Sequence, residues 1–465
     1  MEIQELEWLR HNGMTIDLFA GGGGFSTGFE SAIGRPMTMA LNHDRLAVTL
    51  HAINHPQTVH LCQDIWQADP VAAIAGRPTF WIHASPSCTQ FSRSRRALPA
   101  DRQLREMAWR VLDWVDASNP VIVTMENVGE MRSWGPLGDD GFPIKERAGE
   151  TWEQFVQGFR DRGYQITWRM LDSADYGAPT ARTRLFIVAR RDGIAHEWPE
   201  ATHGPGTANE WTPAAKHIDW DNPAPSIFTR KKPLADATMI RIWKGIKRFV
   251  TDAEHPFYAP KGTQVGDGAD RSAQVAAFLG QNHALLPGRS LRQPASTICT
   301  KGAGQALITA SFMSVLRNNA VGIGMDSPIG TMTASGGHFA EVRVAAERTA
   351  AFCTGYFSEG GGQLHPLEEP IGTMTTRDRF AIVTIHGMPH RLIDIGYRML
   401  TVKELWPLAG FPAHYKTNPI ANGKPMTEEA QKRMIGNAVV PHMAEAVTRA
   451  ILASIDRKIP MRMAA

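Results

Sequence analysis

The stretch Met14-Thr15-Ile16-Asp17-Leu18-Phe19-Ala20-Gly21-Gly22-Gly23-Gly24-Phe25-Ser26 decides the fold. Met14 to Phe19 reads as a buried strand and the glycine run as a tight turn. From Ser26 a helix begins, with Phe25, Phe29 and Ile33 at helical spacing. Strand, glycine-rich turn and helix are how an α/β sheet opens a nucleotide pocket. Glycine lets the backbone approach a ligand, and the helix amino terminus supplies unpaired N–H groups. The dinucleotide fingerprint GxGxxG is not met, because Ser26 stands where its third glycine belongs. That disfavours a nicotinamide-dinucleotide enzyme. A purely structural turn is the competing reading, and consecutive glycines weaken it.

The alternation continues outward. Met37 to Leu41 is an expected strand, Asp44 to Ile53 a helix capped by Asp44, and Thr58 to Leu61 a third strand running into Cys62-Gln63-Asp64-Ile65. Asn42 and Asp64 thus fall at strand ends, where polar side chains commonly hold a ribose and a base. Capping the next helix is an equal claim on each. Thr151 to Arg162 is a further expected helix. Up to about Arg191 repeated strand and helix predict a doubly wound, mostly parallel sheet.

Within this region His83-Ala84-Ser85-Pro86-Ser87-Cys88-Thr89-Gln90-Phe91-Ser92 follows the apolar run Phe80 to Ile82 and precedes Arg93, Arg95 and Arg96. Cys88 then lies in the loop at a strand's carboxyl end, and nearby positive charge favours the nucleophilic thiolate. A structural thiol beside solvated arginines accounts for this stretch equally well. Arg102 to Ala117 reads as an amphipathic helix, and Pro120 to Met125 as a strand ending in Glu126-Asn127-Val128. A carboxylate at the end of an apolar strand is costly without a partner or a task. Backbone amides of its own loop are the other way to satisfy it. Arg182 and Arg184 alternate on a strand and are expected to point the same way.

The chain has 465 residues, enough for two or three domains, with hydrophobic and charged contents of 43% and 20% that suit a globular protein. A formal charge of +3 does not announce a nucleic-acid partner. The widely spaced Cys62, Cys88, Cys299 and Cys353 include no CxxC pair, so neither a disulfide framework nor a zinc site is expected. The amino terminus lacks an apolar signal core, and no uninterrupted apolar run reaches membrane-spanning length. A cytoplasmic protein without membrane contact is expected.

From His196 to about His390 the chain is rich in Gly, Pro, Thr and Ser. An exception is a helical pattern from Leu234 to Val250, with Met239, Trp243, Ile246 and Val250 on one face. Lys244 and Lys247 lie largely off that face and, with Arg230, Lys231 and Lys232, make a strip suited to phosphate contact. A solvated helix face is the plain alternative. A degenerate repeat starting at Pro294, Pro328 and Pro370 suggests short strand-and-turn units. Regular structure returns with Arg398 to Pro412, then Ile435 to Pro441 and a helix from His442 to about Asp456.

Taken in order, DLFAGGGGFSTGFE, the SPSCTQFS loop, ENV, APTARTRLF, RMLTVKELWPLAGFP and GNAVVP resemble the DNA (cytosine-5)-methyltransferase family over about residues 13–191 and 396–456. The resemblance implies a catalytic domain at 1–191, a β-rich target recognition domain at 192–395, and carboxyl-terminal motifs at 396–465 packing back on the first. It implies Cys88 as nucleophile toward cytosine carbon 6, Glu126 on ring nitrogen 3, Arg184 on the carbonyl oxygen and Arg182 ordering the site. The target base must leave the duplex to be reached. S-adenosyl-L-methionine is the implied cofactor, against Phe19, Gly21, Gly22, Gly23, Gly24, Asn42, His43, Asp64, Ile65, Pro86, Asn437 and Val439. Arg93, Arg95 and Arg96 would close over double-stranded DNA. A monomer is expected, with a restriction endonuclease as a possible companion.

Three departures stand out. Ser87 and Thr89 flank the cysteine where the family usually has Pro and Gln. Asn42 stands for the acidic residue after the second strand, and an amide binds hydroxyls more weakly than a carboxylate. Thr180 replaces a Gln ahead of the arginines. Rival readings are an RNA cytosine-5 methyltransferase of related fold and a catalytically inactive DNA-binding regulator. An exocyclic-amine methyltransferase is disfavoured, because no Pro-Pro occurs.

Overall fold

Met14–Leu18 forms β1, buried along its whole length. β2 (Met39–Leu41), β3 (Val59–Leu61), β4 (Thr79–Ala84), β5 (Ile122–Asn127) and β6 (Gln165–Asp172) follow it, then the short β7 (Thr180–Ala181) and β8 (Thr183–Arg190). All but β7 join one seven-stranded sheet of order β3-β2-β1-β4-β5-β8-β6. The first five strands run parallel, and β8 runs antiparallel between β5 and β6. These observations come from a computed structural model that describes residues 1–87, 105–260, 263, 274–281, 288–298, 304–314, 382–385, 388–421 and 423–458. Strand order reverses between β1 and β4, and α/β sheets bind ligands beyond the carboxyl ends at such a switch point.

Both faces of the sheet are covered, as a parallel sheet requires. On one face Ile16, Leu18, Ile82 and Val123 pack with Trp114, Phe155 and Phe159. These come from the amphipathic helices Arg110–Ser118 and Glu150–Asp161. On the other face Trp81, Ile122, Phe186 and Val188 pack with Phe25, Phe29, Val447 and Ile451. Helix Arg45–Asn54 is capped as expected, Asp44 accepting from the Leu46 amide at 2.9 Å. β5 runs two residues beyond the expected Met125, so Glu126 and Asn127 belong to the strand. β6, which the sequence reading did not assign, alternates Ile166, Trp168 and Met170 with polar residues and lies largely exposed at the sheet edge.

The glycine-turn helix Gly24–Ile33 lies against the carboxyl-terminal helix Pro441–Asp456 at backbone distance. A Cβ on Gly24 would lie 2.0 Å from the Val439 carbonyl oxygen, and one on Gly28 would lie 2.1 Å from that of Pro441. The absent side chains therefore bring the two ends of the chain together. The segment Glu428–Asp456 is apolar enough by length and composition to span a membrane. Here it forms two helices separated at residues 438–440, and most of its apolar window is buried.

The chain divides into two compact units, 1–217 with 294–301 and 402–465, and 218–293 with 302–401. The compositional change near His196 thus precedes the boundary, and the first of the repeat segments returns to the first unit. There β11 (Ala295–Ser296) pairs with β7. The repeats at Pro328 and Pro370 lie outside the described residues. The second unit contains β9 (Gln274–Gln281), β10 (Arg289–Ser290), β12 (Gln305–Ser314), β13 (Ile382–Ile385) and β14 (Met388–Met399). They form an antiparallel sheet of order β10-β9-β12-β14-β13. Helix Asp236–Ile246 and the π-helical turn Lys247–Thr251 present Ile242, Ile246 and Val250 to Phe278, Ile308 and Ile395 of this sheet. Ile242 is thus a member of the buried face, while Trp243 is only partly covered.

Gly28→Ala should destabilise the protein by about 1–3 kcal/mol, since a packed backbone must move to admit the methyl group. Chemical denaturation reads this, and unchanged stability would refute the backbone contact.

Candidate active site

The turn after β1 is bent by residues in the left-handed region: Phe19 at φ +61°, Gly21 at +54° and Gly23 at +88°. The loop after β4 is stitched to it. The Ser85 amide donates to the Leu18 carbonyl at 3.2 Å, and its hydroxyl donates to the Phe19 carbonyl at 3.3 Å. Not every glycine of the run faces this crevice. Around Gly21 a Cβ would meet, among the described residues, only the Phe19 oxygen, at 3.9 Å. At Gly22 it would press on Leu50, at Gly23 on His55 and Tyr415, and at Gly24 on Val439. Sequence reasoning placed the whole run against a ligand. Among the described residues Gly21 alone of the run has that open surrounding, and Gly22 to Gly24 pack against neighbours.

Two further expectations need the same correction. Ile65 is only 3% exposed and belongs to the sheet's core, and Val439 is buried against Phe25 and Phe29. Neither side chain is left to spread on an open surface, because both complete an apolar layer. Phe19 is half-buried, and His43 and Asn437 are exposed. Asn42 and Asp64 each use one oxygen locally, accepting from the Asp44 amide at 2.8 Å and the Trp66 amide at 3.0 Å. Both cap the following turn, yet they stand at the carboxyl ends of adjacent strands.

At the other side of the switch point, the Asn127 amide donates to the buried Pro86 carbonyl at 3.0 Å. That bond fixes the backbone just ahead of Cys88. Cys88, Arg93, Arg95 and Arg96 themselves lie outside the described residues. Glu126 is buried and forms an ion pair with Arg184, whose Nε lies 3.2 Å from Oε1. The alternation of Arg182 and Arg184 read from sequence did not show a break in the strand. The strand is interrupted at Arg182, between β7 and β8. Arg182 is buried and donates to the Gly436 carbonyl at 3.0 Å. Thr180 anchors this interruption through its hydroxyl, which donates to the Ala295 carbonyl at 3.3 Å. In the second unit Arg230, Lys231, Lys232, Lys244 and Lys247 are all exposed.

Beneath the crevice lies a polar row that sequence reasoning missed. Asp17 and His83 face each other in register on β1 and β4, and both are fully buried. Ser26 donates to Asp17 at 2.7 Å. His51 Nε2 lies 3.1 Å from the same hydroxyl, and its Nδ1 lies 2.8 Å from His60 Nε2. His83 stacks on Phe25 at 3.4 Å between ring centres and bonds to Thr124 at 3.0 Å. Burial pushes the Asp17 carboxyl up to about 7, against the Ser26 hydrogen bond. Burial holds His51 and His83 well below the usual imidazole range. A second tether ties His55 to Glu30 at 2.9 Å, and Tyr415 donates to the Gly22 carbonyl. The available signal was Ser26 itself, a hydroxyl at a position where a nucleotide turn has glycine.

A family model for C-5 cytosine-specific DNA methylase matches residues 13–241 and 331–453. The match takes in more than half of the chain, and the chain belongs to that family. It is 31% identical over 217 residues to the Type II methyltransferase M.SacI of Streptomyces achromogenes, covering 42% of this chain and 52% of that protein. It is 27% identical over 195 residues to M.AquIA of Picosynechococcus, covering 41% and 77%. The matched part spans about half the length of most such relatives. DNMT2 of Spodoptera frugiperda, a solved structure, is similar over 96% of this chain and 100% of its own, with a TM-score of 0.47 and 14% identity.

Asp17 carries a pH prediction. Its folded-state value of about 7 lies above the ordinary 3.8. A carboxyl raised on folding contributes stability that is complete below the unfolded value and is lost as pH rises through the folded one. The unfolding free energy of the wild type relative to Asp17→Asn should therefore fall between about pH 4 and about pH 8. A pH-independent difference would show that Asp17 is not held protonated.

Proposed function

We propose that this protein is an S-adenosylmethionine-dependent methyltransferase acting on carbon 5 of cytosine in duplex DNA. The observation that carries the reading is the buried Glu126–Arg184 ion pair beside the strand that leads to Cys88. A carboxylate is expensive to bury. Here it is retained with a guanidinium at the carboxyl edge of the sheet, where chemistry on this fold is done. Family membership supplies the reaction class.

Carbon 5 of cytosine is a weak nucleophile until carbon 6 is attacked. The Cys88 thiolate would form that bond, making carbon 5 enamine-like. Glu126, in its protonated form, would donate its proton to ring nitrogen 3 and so neutralise the negative charge that develops there as sulfur adds. Arg184 would hold Glu126 in place and reach toward the ring carbonyl, and Arg182 would act through the Gly436 backbone. Loss of the carbon-5 proton then allows the carbon–sulfur bond to break and frees Cys88.

The cofactor supplies an electrophilic methyl group when bound. The residues present suit it: open space beside Gly21, the half-buried ring of Phe19, and polar side chains of Asn42 and Asp64 at neighbouring strand ends. The turn backbone of Pro86 would close the same crevice, with His43 and Asn437 at its rim. Ile65 and Val439 would support it from beneath. Arg93, Arg95 and Arg96 would contact DNA, as would the exposed strip of Arg230, Lys231, Lys232, Lys244 and Lys247 on the second unit, read as the target recognition domain. The names of the relatives suggest a Type II system, with a restriction endonuclease as companion.

Incubation with S-adenosylmethionine and mixed-sequence duplex DNA, with structured RNA in parallel, should give 5-methylcytosine in DNA at a defined sequence. Methylation of RNA alone would overturn the substrate assignment. Cys88→Ser should reduce turnover by at least about 10³-fold while cofactor binding persists. Undiminished turnover would sink covalent catalysis. Reversing charge at Lys244 and Lys247 should weaken DNA binding and flatten its salt dependence. An unchanged salt slope would mark that helix face as merely solvated.

A further inference from the structure

The hydrogen bonds joining Asp17, Ser26, His51 and His60 cross the elements that carry every strand-end loop on the β1–β3 side of the crevice. Asp17 lies in β1 just ahead of Phe19, and Ser26 lies in the helix opened by the glycine turn. His51 belongs to the helix that follows Asn42 and His43, and His60 lies on β3, which runs on toward Asp64. The separations are 2.7, 3.1 and 2.8 Å in sequence along the chain.

The direction of the bonds can be assigned from the network. Ser26 gives its only proton to Asp17, so its oxygen accepts from His51 Nε2–H. The Nδ1 of a neutral His51 is then bare and accepts from His60 Nε2–H. The chain runs one way, from a half-buried imidazole to a fully buried carboxyl.

Packing alone does not account for this arrangement. Asp17, Ser26 and His51 are almost completely inaccessible, and Asp17 Oδ1 has no hydrogen-bond partner among the described residues. An apolar set of similar volume would fill the same space without the desolvation cost. A hydrogen-bonded polar chain differs in being directional, so it specifies one relative placement of the elements it joins.

We propose that Asp17, Ser26, His51 and His60 are positioning residues that hold the loops bearing Phe19, Gly21, Asn42 and Asp64 in the mutual register needed to bind S-adenosylmethionine. The proposal rests on the cofactor assignment made above. None of the four touches the reacting atoms. Their effect falls on cofactor affinity and leaves DNA affinity alone.

The test is calorimetric titration of the full chain with S-adenosylmethionine, with DNA binding measured in parallel. His51→Leu and Ser26→Ala should each weaken cofactor binding tenfold or more, with DNA affinity within twofold of wild type. His51→Gln, whose amide offers a donor and an acceptor in similar places, should recover affinity to within threefold. His60→Ala, at the half-buried end, should weaken binding at least threefold, and it decides the matter if the interior variants fail to fold. In the wild type, cofactor saturation should shift the imidazole nitrogen resonances of His51 and His60. Wild-type affinity in both His60→Ala and His51→Leu, or equal losses in His51→Leu and His51→Gln, overturns the proposal and leaves the cofactor assignment standing. A wild-type protein that binds no S-adenosylmethionine overturns both.

Discussion

The contact on which the first unit depends is steric. Gly24 and Gly28 let the backbone of one helix reach the carbonyls of Val439 and Pro441. With those chain ends in place, Arg182 finds the Gly436 carbonyl and the core layer of Phe25, Phe29, Val447 and Ile451 closes. On the same turn, Gly22 and Gly23 admit Leu50, His55 and Tyr415, and Tyr415 bonds the Gly22 carbonyl. A glycine run of this kind serves two ends at once. One residue stays open toward the crevice, and the others hold the turn from behind.

A second theme is the buried polar row across the sheet. Asp17, His83 and Thr124 stand in register on β1, β4 and β5. Thr124 accepts from Trp81 at 2.9 Å and bonds His83, so the row is partly satisfied sideways. Two residues further along β5 comes Glu126, paired with Arg184. The polar groups thus form two tiers, one beneath the crevice and one at its edge. The intervening Leu18, Ala84 and Met125 point to the other face of the sheet, where they join the apolar layer of Trp114 and Phe155. Low dielectric raises the stakes of each polar contact in both tiers.

Much of the site's address was legible from local pattern. Apolar runs bounded by glycine or polar residues located β1, β4 and β5, and capping chemistry located the helix after Asp44. The motif order that resembled a cytosine-5 methyltransferase placed Glu126, Arg184 and Pro86 at one edge of the sheet. The alternation of Arg182 and Arg184 did not show that the strand breaks at Arg182. The interruption at Arg182 comes from β7 pairing with β11, a segment more than a hundred residues away. Nothing near Arg182 encodes that partner.

What the sequence determined alone is what short-range physics can carry: strand against helix periodicity, helix caps, the glycine turn, and the residue types at strand ends. Which glycines pack against neighbours, where the strand breaks at Arg182, and how Ser26 joins Asp17 to His51 were decided only by the tertiary structure. Each depends on groups distant in the chain meeting at contact distance. Local composition cannot specify such a meeting, because the partner's position is set by the packing of the whole unit.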